Sequence, residues 1–212
     1  LKRVFDENLK QANTKEKIIT VSIQEFATKG YDNASIRKIA EIVGIKGSSI
    51  YNHFNSKEEI LEEIFKYYRK NFYQGERVFD INKGHIKENS IPAMLKQGLY
   101  SVVATLKKPE ITNILNIIIK EQFKNQKIRE FFWEEFIQKP RSFMENFLVE
   151  LMEKGLIKKG DPHLLSQEFH AFSIYKMYEE FMLKNMNNID MDGLQKQISE
   201  HIDFFWDSIT NK

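Results

Sequence analysis

The sequence predicts an all-α protein of about nine helices, and three observations carry that expectation. Apolar residues recur three and four positions apart almost throughout, the spacing of one helical face, whereas period-two alternation bounded by hairpin turns is hard to find. Helix-starting signals stand ahead of the apolar stripes: Asn13 with Glu16, Ser35, and Ser56 with Glu59. Glycines close them, with Gly30, Gly44 and Gly155 each standing where an apolar pattern ends.

Taken in order, Asn13 caps a first helix whose stripe is Ile19, Ile23, Phe26 and Ala27, closed by Gly30. Ser35 caps a short second helix carrying Ile36, Ile39, Ala40 and Val43, and Gly44 supplies a sharp turn. Lys46 to Phe54 keeps only Ile50 and Phe54 clearly apolar, so one side is left polar. Ser56 and Glu59 then form a capping box for a fourth helix with Ile60, Leu61, Ile64 and Phe65 on its inner face. The polar stretch between Tyr73 and Ser90 reads as a boundary or hinge. Beyond it helices are expected from Ser90 to about Lys107, from Glu110 to Lys124, from about Lys127 to Lys154 with a kink or break at Pro140, from His163 to Asn185, and from about Asp192 to Ile209. The expected domains are residues 1–72, with a core at 13–56 and a connecting helix at 57–72, and residues 73–212.

Composition narrows the function classes. The 212 residues are 42% hydrophobic, enough to bury a sizeable core, and the net charge of +2 gives no bulk attraction to nucleic acid. Any such surface must come from local clustering. From Lys15 to Lys57, seven basic residues stand against four acidic ones, a local excess of +3. The absence of cysteine leaves no disulfide framework, thiolate metal site or cysteine nucleophile, which fits a cytoplasmic protein. No apolar run approaches the roughly 18 residues of a membrane span. No phosphate-binding glycine loop, nucleophile elbow or dinucleotide fingerprint is present, so no enzyme class or cofactor is expected.

A short helix, a glycine turn and a second helix with an outward polar face form the layout of a helix-turn-helix. The second helix must enter a major groove about 12 Å wide, which favours short polar or aromatic side chains on its outer face. Lys46, Gly47, Ser48, Ser49, Tyr51, Asn52 and His53 meet that need. Gly47 allows close approach to DNA, while Ser48, Ser49 and Asn52 offer hydrogen bonds to bases or phosphates. Lys57 lies in the first turn of its helix, where a lysine opposes the dipole unless an anion such as a phosphate joins it. The competing reading of this stretch is a short solvated linker helix.

The run "TKEKIITVSIQEFATKGYDNASIRKIAEIVGIKGSSIYNHFNSKEEIL" closely resembles the DNA-binding domain of TetR-family transcriptional regulators, over roughly Thr14 to Phe72. That resemblance implies a homodimeric, ligand-responsive repressor, less often an activator, on a near-palindromic operator. It implies phosphate contacts for Ser35, Tyr51, His53 and Lys57, and base or groove contacts for Arg37, Lys46, Ser48, Ser49 and Asn52. The N-terminal extension, with Lys2, Arg3 and Lys10, is longer than the family minimum. For the C-terminal portion the resemblance is of architecture: the last two helices stand where the family dimerises. Phe169, Phe172, Ser173, Ile198, Ile202, Phe205 and Trp206 have the spacing of a packed stripe there and are the interface candidates.

All seven methionines lie in this C-terminal portion. They suggest an adaptable pocket for a largely apolar small-molecule effector, which Tyr100, Phe123, Phe147 and Tyr175 could line. For any single one of these residues ordinary core packing is the competing account. His163, Glu168 and His170 are spaced too widely for a metal site, and Glu134-Glu135 and Glu179-Glu180 read as solvated helix faces. The leading expectation is a dimeric, effector-released repressor whose coupling element is Glu58 to Phe72. The alternatives are an activator of the same family, or a helical ligand-binding module or enzyme that leaves DNA alone.

Overall fold

A computed structural model describes residues 13–72, 90–184 and 190–210, and among them the chain forms nine α-helices and no strand. These are α1 (Thr14–Lys29), α2 (Ile36–Val43), α3 (Lys57–Phe72), α4 (Ile91–Leu106), α5 (Pro109–Glu121), α6 (Gln126–Phe132), α7 (Lys139–Glu153), α8 (Pro162–Met177) and α9 (Met191–Ile209). A 3-10 turn, Gly47–Asn52, lies between α2 and α3, and π-helical turns occupy Trp133–Gln138 and Tyr178–Leu183. None of the described helices is long and apolar enough to cross a membrane. The extension bearing Lys2, Arg3 and Lys10, most of the expected hinge, and Met186 lie outside the described residues.

The chain divides into two compact units. One holds the described residues of Leu1–Tyr73 together with Leu106–Arg129, and the other those of Gln74–Thr105 together with Glu130–Lys212. The first therefore takes in α5 as well as the expected 1–72 region. At its centre is α1, which packs against α2, α3 and α5. Its start is the expected capping box, with the Glu16 N–H donating to Asn13 and the Asn13 N–H donating to Glu16, each at 3.0 Å. A single stripe was expected on α1, yet Ile18, Val21, Ser22, Ile23, Phe26 and Ala27 are all buried while Ile19 is partly exposed. Neighbours on several sides explain this wider burial. From α5, Ile111, Ile114, Leu115, Ile117 and Ile118 add to the same core.

The second unit is built on α4, α7, α8 and α9, whose inward residues include Ile91, Leu95, Phe147, Leu151, Phe169, Ile202 and Trp206. Gly155, at φ 67, ends the turn after α7, and the Lys158 N–H then donates to the Ile209 carbonyl at 2.8 Å, tying that loop to the end of α9. Lys96 of α4 pairs with Asp203 of α9 at 2.7 Å.

The expected kink at Pro140 takes the form of the π-helical turn just before it, where the Lys139 N–H reaches back five residues to the Glu134 carbonyl. Pro140 has no N–H to give the Phe136 carbonyl four residues earlier. That carbonyl faces the ring of His170 on α8, whose Nδ1 accepts from Arg141 Nε at 3.4 Å. Burial, and then the Arg141 charge, push the His170 pKa down to about 4, so the ring is neutral near pH 7. Thus a proline in one helix is matched by a buried histidine in the next.

Because the folded pKa of about 4 lies below the ordinary 6.5, the unfolded chain takes up this proton first as the pH falls. The His170 contribution is complete above pH 6.5 and is lost progressively toward pH 4. His170→Ala is expected to cost about 2 kcal/mol at pH 7 through lost packing and hydrogen bonding. Urea unfolding at pH 7 and pH 4.5 should show a smaller acid loss for the variant than for the wild type.

Candidate nucleic-acid interface

The helix-turn-helix begins at Ser35, whose hydroxyl accepts from the Lys38 N–H at 3.1 Å and so caps α2. Gly44 ends α2 in the left-handed conformation, φ 82 and ψ 29, and its N–H and that of Ile45 both return to the Ala40 carbonyl at 3.0 Å. This sharp reversal delivers the chain to Lys46. Directly after Lys46 the backbone winds into a six-residue 3-10 turn, where the sequence suggested an α-helix from Lys46 to His53. Its closing bonds run from the Ser49 N–H to Lys46 and from the His53 N–H to Ile50, each at 2.9 Å.

With three residues per turn, positions i and i+3 stack in rows: Gly47 with Ile50, Ser48 with Tyr51, and Ser49 with Asn52. Ile50 and, just beyond, Phe54 are essentially fully buried. Anchoring that row turns the other two outward: Ser48, Tyr51 and Asn52 are exposed and Ser49 is partly so. Tyr51 is 57% exposed, unusual for so large an aromatic without an outside contact. A Cβ at Gly47 would meet nothing within 4 Å, so no internal contact requires glycine there. Lys46, His53, Ser35 and Arg37 are exposed on the same helix-turn-helix. Lys38 pairs with Glu41 at 2.8 Å, whereas no carboxylate of the described residues pairs with Arg37 or Lys46.

Lys57 sits differently from its expected place beside a phosphate. Its ammonium donates to the carbonyls of Tyr31 at 2.8 Å, Asp32 at 3.2 Å and Ala34 at 3.4 Å, and lies 4.5 Å from the centre of the Tyr31 ring. Three carbonyls and an aromatic face occupy it, which explains a lysine in the first turn of a helix. The amides at the start of α3 are also served from within. The Glu59 N–H donates to Ser56 at 3.2 Å, and hydrogen bonds from its own backbone and from Ser56 hold the Glu58 carboxyl below the usual range. Glu59 itself reaches past Ser56 to the Asn55 N–H at 2.7 Å, a box displaced by one residue from the expected form. Burial, and then Glu58, push the Tyr31 hydroxyl far up, so it stays protonated.

Of the suggested pocket residues, Phe123 belongs to the first unit and is 74% exposed, while Tyr100, Phe147 and Tyr175 belong to the second. Phe147 is part of that unit's core, Tyr100 is partly exposed and Tyr175 is exposed. The suggested interface residues Phe169, Ile198, Ile202, Phe205 and Trp206 are buried within the single chain, with Phe172 and Ser173 partly exposed. Phe169 meets Phe205 edge-on at 4.9 Å, and Phe172 stacks on His201 at 4.2 Å, so α8 and α9 consume that stripe against each other. The outward apolar residues on the same helices include Leu164, Ala171, Tyr175 and Phe204, with Tyr178 in the π-helical turn after α8. Their signal is a second periodicity in α8 and the turn after it, at 164, 171, 175 and 178, offset from the stripe that joins α9.

Sequence reasoning also missed Glu121. It is buried at the end of α5, and its Oε1 accepts from the Tyr31 N–H at 3.2 Å. The available signal was its register, three residues after Ile118 on an otherwise apolar face.

Comparison with known proteins agrees with this geometry. Residues 18–64 match the family described as bacterial regulatory proteins, tetR family. Over 52 residues the chain is 46% identical to the biofilm operon icaADBC HTH-type negative transcriptional regulator IcaR of Staphylococcus aureus (strain Newman), a match spanning 24% of this chain and 28% of IcaR. Across nearly the whole length the fold is shared with a TetR family transcriptional regulator from Pseudomonas syringae pv. tomato str. DC3000, with a TM-score of 0.69, 15% identity, and coverage of 95% of this chain and 99% of that one. AibR, solved in complex with isovaleryl coenzyme A and operator DNA, is similar at a TM-score of 0.63 and 17% identity, over 88% of this chain and 96% of that one. Over residues 18–64 the chain is thus similar to TetR-family transcriptional regulators, and across nearly its whole length it shares the fold of such a regulator.

Proposed function

We propose that the chain is a homodimeric repressor that binds a near-palindromic operator through Gly47–Asn52 and its flanks, and is released by a small-molecule effector in the C-terminal unit. The observation that carries this reading is the exposed double row of Ser48, Ser49, Tyr51 and Asn52 on a turn anchored by the buried Ile50. In this reading Ser48, Ser49 and Asn52 meet base edges or phosphates, Tyr51, His53 and Ser35 meet phosphates, and Arg37 and Lys46 add charge. Gly47 lets the turn approach the groove. Lys57, with its donors turned inward, acts as a clip for the turn after α1. Repression is supported by the likeness to IcaR, described as a negative regulator, and an effector by AibR with its coenzyme A thioester. The cytoplasm is the compartment this function requires. Activation is the second outcome, decided by where the bound sequence lies relative to a promoter.

Dimer formation is supported by an apolar stripe left exposed among the described residues. Leu164, Ala171 and Tyr175 share one exposed face of α8, Tyr178 continues it in the π-helical turn that follows, and Phe204 is 76% exposed on α9. A second copy would cover them.

Selection from a random duplex pool by the full-length protein should enrich a near-palindrome. On that duplex Tyr51→Ala should weaken binding roughly tenfold, and Lys46→Ala should reduce the salt slope of log affinity by about 1. A pool with no enriched sequence, or indifference to both substitutions, favours a module that does not bind DNA. In sedimentation the wild type should run as two chains and Tyr175→Glu/Phe204→Glu as one. An unchanged species would place the dimer contact elsewhere.

A further inference from the structure

We infer that Glu121 is a positioning residue for DNA recognition: its buried carboxylate fixes the turn from which α2, and through it the DNA-reading turn, projects. This rests on the proposed DNA-binding function and adds a residue from outside the helix-turn-helix. Along α5 the buried face runs Ile111, Ile114, Leu115 and Ile118, and Glu121 continues it at only 7% exposure. A carboxylate among isoleucines is costly unless a donor meets it. The donor is the Tyr31 N–H, 90 residues earlier in the chain, at 3.2 Å.

Two further contacts grip the same corner. Lys120 Nζ donates to the Ala27 carbonyl at the end of α1, at 3.3 Å. From the other side, Lys57 holds the carbonyls of Tyr31, Asp32 and Ala34. Tyr31 is therefore held by its N–H from α5 and by its carbonyl from α3. Gly30 completes the corner. Its φ of 85 suits glycine, and a Cβ there would stand 2.7 Å from Glu121 Oε1, so that a side chain at this position would push the carboxylate from its place.

Leverage makes this grip matter for recognition. Eight residues of α2 span roughly 12 Å, so a tilt of ~10° at Tyr31 moves the far end by ~2 Å. Hydrogen bonds to base edges lose most of their strength within a fraction of that distance. Glu121 acts through geometry, without touching DNA.

The test uses the full-length protein and the duplex it enriches from a random pool. Glu121→Ala is expected to lose at least roughly tenfold in affinity for that duplex while binding non-specific duplex as the wild type does. Glu121→Gln, whose amide oxygen can still accept from the Tyr31 N–H, should stay within about twofold of the wild type. Amide exchange read without DNA should quicken at 31–36 and 46–54 in Glu121→Ala and hold its wild-type rate in Glu121→Gln. If no duplex is enriched, the DNA-binding reading fails while the exchange comparison still decides whether Glu121 holds the turn. The inference is overturned if Glu121→Ala matches the wild type in specific affinity and exchange, or if both variants lose specific and non-specific binding together.

Discussion

The exposed turn Gly47–Asn52 cannot hold itself. Fixing six residues of backbone costs roughly 6–12 kcal/mol at 1–2 kcal/mol per residue. Burying one isoleucine and one phenylalanine returns roughly 3–6 kcal/mol. A 3-10 turn this long also has poorer hydrogen-bond geometry than an α-helix. The difference must come from the surroundings, and much of the N-terminal unit supplies it. Ile50 and Phe54 sink beneath the turn, Ile39 and Ala40 form part of the floor, and Gly44 reverses the chain in the left-handed conformation. Polar residues on the outside are left free of structural work, which is the condition for reading a groove.

That dependence explains which parts were legible in the sequence. Caps and glycines act over three or four residues, so the Asn13 box, Ser35 and Gly44 are found where expected. The polar run after Gly44 was legible too, as an exposed face over Ile50 and Phe54. Its 3-10 winding was not, because winding over so short a run is settled by the packing of Ile50 and not by local preference. Lys57 was legible only in part for a similar reason: a lysine opposing a helix dipole signals a partner, and the spacing does not show that three carbonyls of the chain itself meet it.

In the C-terminal portion one stripe was visible where two exist. Phe169, Ile198, Ile202 and Phe205 join α8 to α9, and the second face of α8 lies half a turn away with Leu164, Ala171 and Tyr175. A helix that is apolar on two sides defeats a search for a single stripe, and only the folded chain tells which side is already covered. Pro140 illustrates the same limit. A proline announces a disturbed helix, yet the π-helical turn and the answering His170 depend on what α8 brings beside it.

The central claim is that residues 46–53, anchored from below, are the surface that meets DNA. Amide exchange of the full-length protein, with and without an enriched duplex, tests it most directly. The account predicts slowed exchange on DNA addition concentrated in peptides spanning 35–37 and 46–53, with the α4, α7, α8 and α9 core unchanged. Exchange in 46–53 that is indifferent to bound duplex, with protection appearing elsewhere, would contradict it.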